Sequence, residues 1–397
     1  MVVQNVVARF LCLNQLDLIS IARITMPAPK PLTRRELDRL ARTVEAQTKR
    51  AFSSSRGWEF EKALGNGSFG LTVLLRDRDP LKLRRHRRVV LKRALRQNDG
   101  VEDFVAEMRA LWDLRGHAHI AQMLDSTDNV GIFRPRSGRA VDFLRRIVTP
   151  FTNPPENVFK ALSHFYGPAI VTEYLENGSL LDFRCKQIEL GINIPNRVLW
   201  SFYHCLVRAC VAMTSKKEAP YGQPLELEIF HEDKEHYALA HNDIAARNIM
   251  FGDREPDVPE HRSVPKLVLI DFGLSQVKGW GSEAEYINLG MVAREMICLI
   301  NPSARVSGHF MEFNGFLTQA FEILPMNGVD MYPHLDPELR NLLVVALGPD
   351  ESRPTLQEML RRTHIGVRKP ASAYNSPERE ADNIVNTLLQ EMVYDAV

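Results

Sequence analysis

The sequence predicts an α+β fold, and three observations carry that prediction. Strand-like apolar runs at 58–64, 71–76 and 89–92 gather in the first half. Helical stripes at 179–187 and 196–214, with further helices to the end, fill the second half. A chain of 397 residues is long enough for one large domain of two lobes, or for two domains.

Residues 1–57 form an extension before the first strand. Its first 25 residues are mildly apolar but broken by Asn5, Arg9, Asn14, Gln15, Asp17 and Arg23. No run approaches the roughly 18 to 20 apolar residues of a spanning helix, so no membrane span is expected. A signal peptide, an Arg-bearing organelle presequence and an unstructured or mis-assigned start before Met26 all fit this segment. Thr33-Arg34-Arg35-Glu36 is a capping-box pattern. Leu37, Leu40, Ala41 and Val44 follow at helical spacing and predict an amphipathic helix over 34–49, packed on the back of the domain. The serines of 51–56 read as a linker.

Charge excludes little but is informative. Fifty basic residues balance 49 acidic ones, so nothing draws the chain as a whole toward nucleic acid. The basic run at 82–88 reads as a solvated turn in preference to a nuclear-localisation or anionic-lipid patch. Five cysteines, at 12, 185, 205, 210 and 298, form no disulfide framework. Reduced thiols in the cytoplasm or nucleus are the expected setting. Cys205 and Cys210 are read as core residues of the helix at 196–214.

Gly65, Gly67 and Gly70 occur in a GxGxxG turn between the first two strands. Glycines let main-chain amides approach phosphate oxygens without a Cβ in the way. A dinucleotide-binding fold would place a helix directly after the third glycine. Here a second strand follows, so the turn is that of a hairpin. Lys92 ends the apolar strand Val89-Val90-Leu91, and a Lys there is costly unless its ammonium meets a charge. Glu107, on the next helical stripe, is the chosen partner, with Glu102 as runner-up.

The stretch His241-Asn242-Asp243-Ile244-Ala245-Ala246-Arg247-Asn248 and the later Asp271-Phe272-Gly273 carry the chemistry. Carboxylate and amide oxygens are hard ligands of the kind Mg²⁺ prefers. An Asp that orients a hydroxyl, with an Asn and a second Asp for the metal, is the general pattern of phosphoryl transfer.

In this order, the Gly-rich turn, the Lys strand, the helical Glu, the HxDxxxxN loop and the Asp-Phe-Gly resemble the eukaryotic protein kinase domain over residues 58–365. The resemblance implies a small antiparallel sheet lobe with one helix at 58–175 and a larger, mostly helical lobe at 176–365, followed by a tail at 366–397. Insertions fall at 125–168 and 215–237. It implies ATP and Mg²⁺ as ligands. Asp243 is then the base or hydroxyl-orienting group, Arg247 a γ-phosphate contact, and Asn248 and Asp271 the metal ligands. Gly65, Gly67, Gly70, Thr72 and Lys92 face the nucleotide, Glu173 and Leu175 meet adenine through the main chain, Thr172 is the gatekeeper, and Ser179 meets the ribose.

Departures from the family pattern matter. Asn242 stands where many kinases have an Arg that pairs with a phosphorylated loop, and a neutral amide cannot make that pair. The segment after Gly273 is very short and lacks Ala-Pro-Glu, and Glu285 takes the place of an Asp in the following helix. Arg353, deprived of its family partner, is expected to meet Glu283 or Glu285. Three functions follow: a phosphotransferase acting on a hydroxyl, with protein Ser/Thr favoured; a nucleotide-binding scaffold of pseudokinase type; and a small-molecule kinase. In the tail, Ser376-Pro377 marks a helix start, and Ile384, Val385, Leu388, Leu389 and Met392 form an apolar stripe for docking or for a partner.

Overall fold

The computed structural model describes residues 33–53, 55, 57–66, 70–78, 88–95, 101–127, 162, 167–220, 222–232, 237–306, 308–349 and 352–395. The fold is mixed α and β, with a five-stranded antiparallel sheet, three two-stranded pairings and a helical body among the described residues. The first helix, α1 (Arg34–Ser53), starts at the Thr33–Glu36 capping box and runs past the expected end. Its buried stripe of Ala41, Val44, Thr48 and Phe52 continues one turn beyond Thr48, so residues 51–53 of the expected linker are helix.

The sheet consists of β1 (Trp58–Asn66), β2 (Gly70–Asp77), β3 (Arg88–Ala94), β4 (Met123–Thr127) and β5 (Ala169–Glu173). Its spatial order is β1-β2-β3-β5-β4, and every pairing is antiparallel. Alternating residues of β2 and β3 bury Leu71, Val73, Leu75, Val89 and Leu91 against Phe52 and Trp58, and this cluster docks α1 on the sheet. Gly70 is required by packing: a Cβ there would lie 2.6 Å from the Arg93 carbonyl oxygen.

Helix α2 (Val101–Asp113) lies between β3 and β4. The body then contains α3 (Leu180–Leu190), α4 (Asn196–Ala212), α5 (Gly281–Ile300), α6 (Pro337–Ala346), α7 (Leu356–Val367) and α8 (Asp382–Leu389). Short strands β6 (Leu239–Ala240), β7 (Ile249–Phe251), β8 (Leu267–Leu269) and β9 (Gln276–Val277) form the pairs β6–β9 and β7–β8. A further hairpin, β10 (Met311–Phe313) with β11 (Phe316–Thr318), follows α5. Helix α4 is buried along its whole length, which its apolar face alone did not foretell. Cys205 and Cys210 are both buried in it.

The segment at 215–237 packs along the end of α2. Lys217 and Glu218 donate their N–H groups to the Asp113 carbonyl, and His117 forms a parallel bridge with Glu226. Residues 233–236 of that segment lie outside the described residues. So do the basic run up to residue 87, Gly67, and the insertion at 128–161 and 163–166. Leu162 of that insertion is buried in the sheet's apolar cluster.

The tail helix begins later than Ser376-Pro377 announces. Pro377–Glu380 is a single 3-10 turn, and α8 follows it. Val385, Leu389 and Met392 are buried in the main cluster, so the stripe docks on the body, while Ile384 stays exposed. Among the described residues, no helix is long and apolar enough to cross a membrane.

Candidate functional site

Lys92 sits on β3 opposite Thr72 of β2, and Thr72 in turn faces Gly65 of β1. Gly65 and Gly70, which flank the turn, are thereby set in the register of the Lys strand. A Cβ at Gly65 would meet nothing within 4 Å, so protein packing does not demand that glycine. Lys92 Nζ donates to both carboxylate oxygens of Glu107, each at 2.7 Å, and to Oδ1 of Asp271 at 2.7 Å. Glu107 is the partner because it points inward from α2 and is 2 % exposed, whereas Glu102 faces outward.

One ammonium thus serves two carboxylates. Burial opposes the charge of Lys92, but Glu107 and Asp271 more than offset it and raise its pKa. Burial pushes the Glu107 carboxyl up to about 7 even with Lys92 beside it. Asp271 is less enclosed; burial works against its charge, and Lys92 still brings it below the usual value.

Two segments meet at His241. Its main-chain N–H donates to Oδ1 of Asn288 on α5 at 2.9 Å, and Asn288 Nδ2 donates to the Leu239 carbonyl. The His241 ring is buried, with Nε2 3.1 Å from the Ile270 carbonyl and Nδ1 accepting the Asp243 N–H at 3.2 Å. That pattern fixes the proton on Nε2. Burial lowers the ring's pKa to about 4. The ring also lies 4.6 Å from that of buried Phe272. The neutral imidazole therefore links the Asp243 main chain to the Ile270 carbonyl, one residue before Asp271.

Asn248 Nδ2 donates to the Asp243 carbonyl and to Asp243 Oδ2, at 3.0 and 2.8 Å. Arg247, largely exposed, pairs with the other Asp243 oxygen. The Asn248 amide is thus oriented by its nitrogen, which leaves its carbonyl oxygen as a ligand atom. Ala246 donates its N–H to Glu295 of α5. Asn242 and Asp271 both hold φ near +61°, in the left-handed region that Asn and Asp tolerate better than other non-glycine residues. Asn242 Nδ2 donates to the Leu274 carbonyl, which ties the loop to the segment after Gly273.

One strand in from the β4 edge of the sheet, Thr172 of β5 pairs with Val90 and Met123, and Glu173 gives its N–H to the Gln122 carbonyl while its carboxylate accepts the Gln122 N–H. Leu175 is half-buried just beyond. The ribose assignment of Ser179 needs qualification. Its hydroxyl and N–H close a capping box with Asp182 at the start of α3, so the side chain is already committed to the helix end.

One expectation about α5 changes. The side chain reaching the loop is Asn288, about one turn on from Glu285. Arg353 donates from Nε to the Gly348 carbonyl and from Nη1 to the Tyr286 carbonyl, while Glu283 lies 3.6 Å from Lys278. Main-chain oxygens therefore satisfy much of that guanidinium. Asn288 and Glu295 were missed because a helical polar residue shows its target only once the helix is packed.

No protein-family model matches the chain, and no curated protein matches its sequence.

Proposed function

We propose that the chain is a magnesium- and ATP-dependent phosphotransferase with a two-lobed, protein kinase-like fold, acting on a hydroxyl, with protein Ser/Thr as the favoured acceptor. The observation that carries this reading is the convergence of Lys92, Glu107 and Asp271 beside the Asp243–Asn248 pair, all from distant parts of the chain. The donor set suits Mg²⁺: carboxylate oxygen from Asp271 and amide oxygen from Asn248 are hard ligands. Held by Asp271 and Asn248, the metal would supply positive charge to neutralise the nucleotide phosphates.

The protein's own part is positioning and fixed charge. Lys92 holds the phosphates, with Glu107 keeping its ammonium in place. Asp243 accepts a hydrogen bond from the attacking hydroxyl, oriented by Asn248 and shielded by neutral His241. Arg247 offers positive charge at the γ-phosphate. Gly65 lets the hairpin backbone close on the nucleotide. Thr72, Glu173 and Leu175 line the adenine end.

Asn242 supports an always-ready site. Its amide fixes the post-Gly273 segment through a main-chain carbonyl, with no phosphate required. The same shortness favours a second reading, a nucleotide-binding scaffold, because only Leu274 to Trp280 separates Gly273 from α5.

The test is Mg²⁺-dependent transfer of phosphate from ATP by the purified chain, beside Asp243→Asn. Loss of about 10²–10⁴-fold in the variant is expected if Asp243 acts as base. Two equally inert proteins that are still stabilised by ATP with Mg²⁺ would put the scaffold ahead. Indifference to ATP would end both readings.

A further inference from the structure

A second cluster of ligand-type side chains lies buried in the helical body, away from Lys92 and Asp243. His119 comes from the turn after α2, Cys205 from α4, and His261 from the loop between β7 and β8. All three are buried, and their ligand atoms lie within 4.8 Å of one another. His119 Nε2 and His261 Nε2 are 3.2 Å apart, and Cys205 Sγ is 3.7 Å from His261 Nε2.

The outer faces of both rings are already assigned. His119 Nδ1 meets Glu228 Oε2 at 2.6 Å, and His261 Nδ1 meets Glu255 Oε2 at 3.1 Å. A carboxylate is an acceptor, so each Nδ1 carries its proton there. In neutral rings, both Nε2 atoms then direct lone pairs at each other and at the thiol sulfur. Such an arrangement calls for a cation at its centre. Carboxylates on the far nitrogens are the usual way that metal-bound histidines are oriented and made more basic.

We propose that His119, Cys205 and His261 bind one zinc ion, which fastens the loops beneath the strand leading to Asp271. The distances suit that ion. Zinc–nitrogen bonds of about 2.05 Å at a tetrahedral angle put two nitrogens about 3.3 Å apart. A zinc–sulfur bond of about 2.3 Å puts sulfur about 3.6 Å from each nitrogen. Two imidazoles and one thiolate suit zinc better than a hard cation, and three protein ligands leave the fourth tetrahedral position open.

The position explains what the ion would do. The His119 carbonyl accepts the Leu269 N–H at 2.9 Å, and Ala121 donates back to the Leu269 carbonyl, two residues before Asp271. Glu228 Oε1 accepts the His119 N–H, so the segment at 222–232 is held as well. The neighbouring His204, Glu260 and His364 differ: Arg208 donates to both Glu260 oxygens and already supplies that carboxylate's countercharge.

The test does not depend on phosphotransferase activity. The full chain, purified without chelator, is analysed for metals by plasma mass spectrometry, and about one zinc per chain is expected. Cys205→Ser and His261→Asn should lose it, whereas Cys210→Ser on the same helix should keep it. Should the ligand variants not fold, the wild-type chain serves: chelation should lower its unfolding temperature, zinc should restore it, and Co²⁺ in place of zinc should give thiolate charge-transfer and tetrahedral visible bands. A folded wild-type chain without metal that gives no cobalt bands would overturn the proposal in favour of an imidazolium held by Glu228. An intense visible copper–thiolate band in the purified protein would overturn the assignment to zinc.

Discussion

His241 is protonated on Nε2 alone because it gives one hydrogen bond to Ile270 and takes one from Asp243 within a dry site. Its folded pKa of about 4 lies below the ordinary 6.5, so the folded protein holds fewer protons than the unfolded chain between those values. The stabilising contribution is therefore full above about pH 6.5 and is lost as pH falls toward 4. The urea midpoint should fall between pH 7 and pH 5, and fall less in His241→Gln, which cannot titrate. Equal pH dependence in both proteins would clear His241 of this role. Asn288→Ala strands the buried His241 N–H and Leu239 carbonyl together, and should cost about 2–4 kcal/mol in denaturant unfolding. Lys92 and Glu107 were readable from one apolar strand and one helical stripe. Asn288 and His241's tautomer were not, since each depends on a carbonyl brought in by another segment.

Elements meet through particular small residues. Helix α7 crosses α4 at Gly366, where an added Cβ would run into the Trp200 ring. That ring cannot easily retreat, because Trp200 Nε1 donates to Asp336 at 2.8 Å. Gly366→Ala should destabilise by about 1–3 kcal/mol through overpacking, seen as a lower denaturant midpoint at unchanged slope. The Gly-rich hairpin offers a sharper contrast. Gly70→Ala drives a methyl into the Arg93 carbonyl and should lower stability. Gly65→Ala has open space and should leave stability within about 0.5 kcal/mol while weakening nucleotide binding. Calorimetric melting of the two variants with and without ATP and Mg²⁺ separates these effects. A sequence motif treats the two glycines alike; only the strand register tells them apart.

At the scale of the molecule, the tail completes the body. Helix α4 begins after Pro195, which supplies no side-chain cap, and Glu380 from the tail accepts the N–H groups of Asn196 and Arg197 and the Asn196 side-chain amide. Lys186, Arg197 and Lys369 add contacts between the body and the tail or its approach. Glu380→Ala should cost about 2–3 kcal/mol, as a buried acceptor for three donors is lost. Truncation before Pro377 should cost more, because it also bares the surface under Val385, Leu389 and Met392. Thermal unfolding of both variants measures the difference. The apolar stripe of the tail was legible at helical spacing, but spacing could not say whether it docks or binds a partner.

By itself the sequence determined what is local. Strand runs, the capping box at Thr33, the Gly-rich hairpin and the short step from Gly273 to α5 follow from residues within a few positions of each other, where backbone sterics and periodicity act. It also singled out Lys92, Glu107, Asp243, Asn248 and Asp271, because their types at those spacings resemble one motif set. Tertiary structure decided the rest: that Lys92 is shared by two carboxylates, that Ser179 is spent on a helix cap, and that Glu380 caps α4. It alone gathered His119, Cys205 and His261. No short-range pattern joins three residues so far apart, and their meeting is a product of how the body packs.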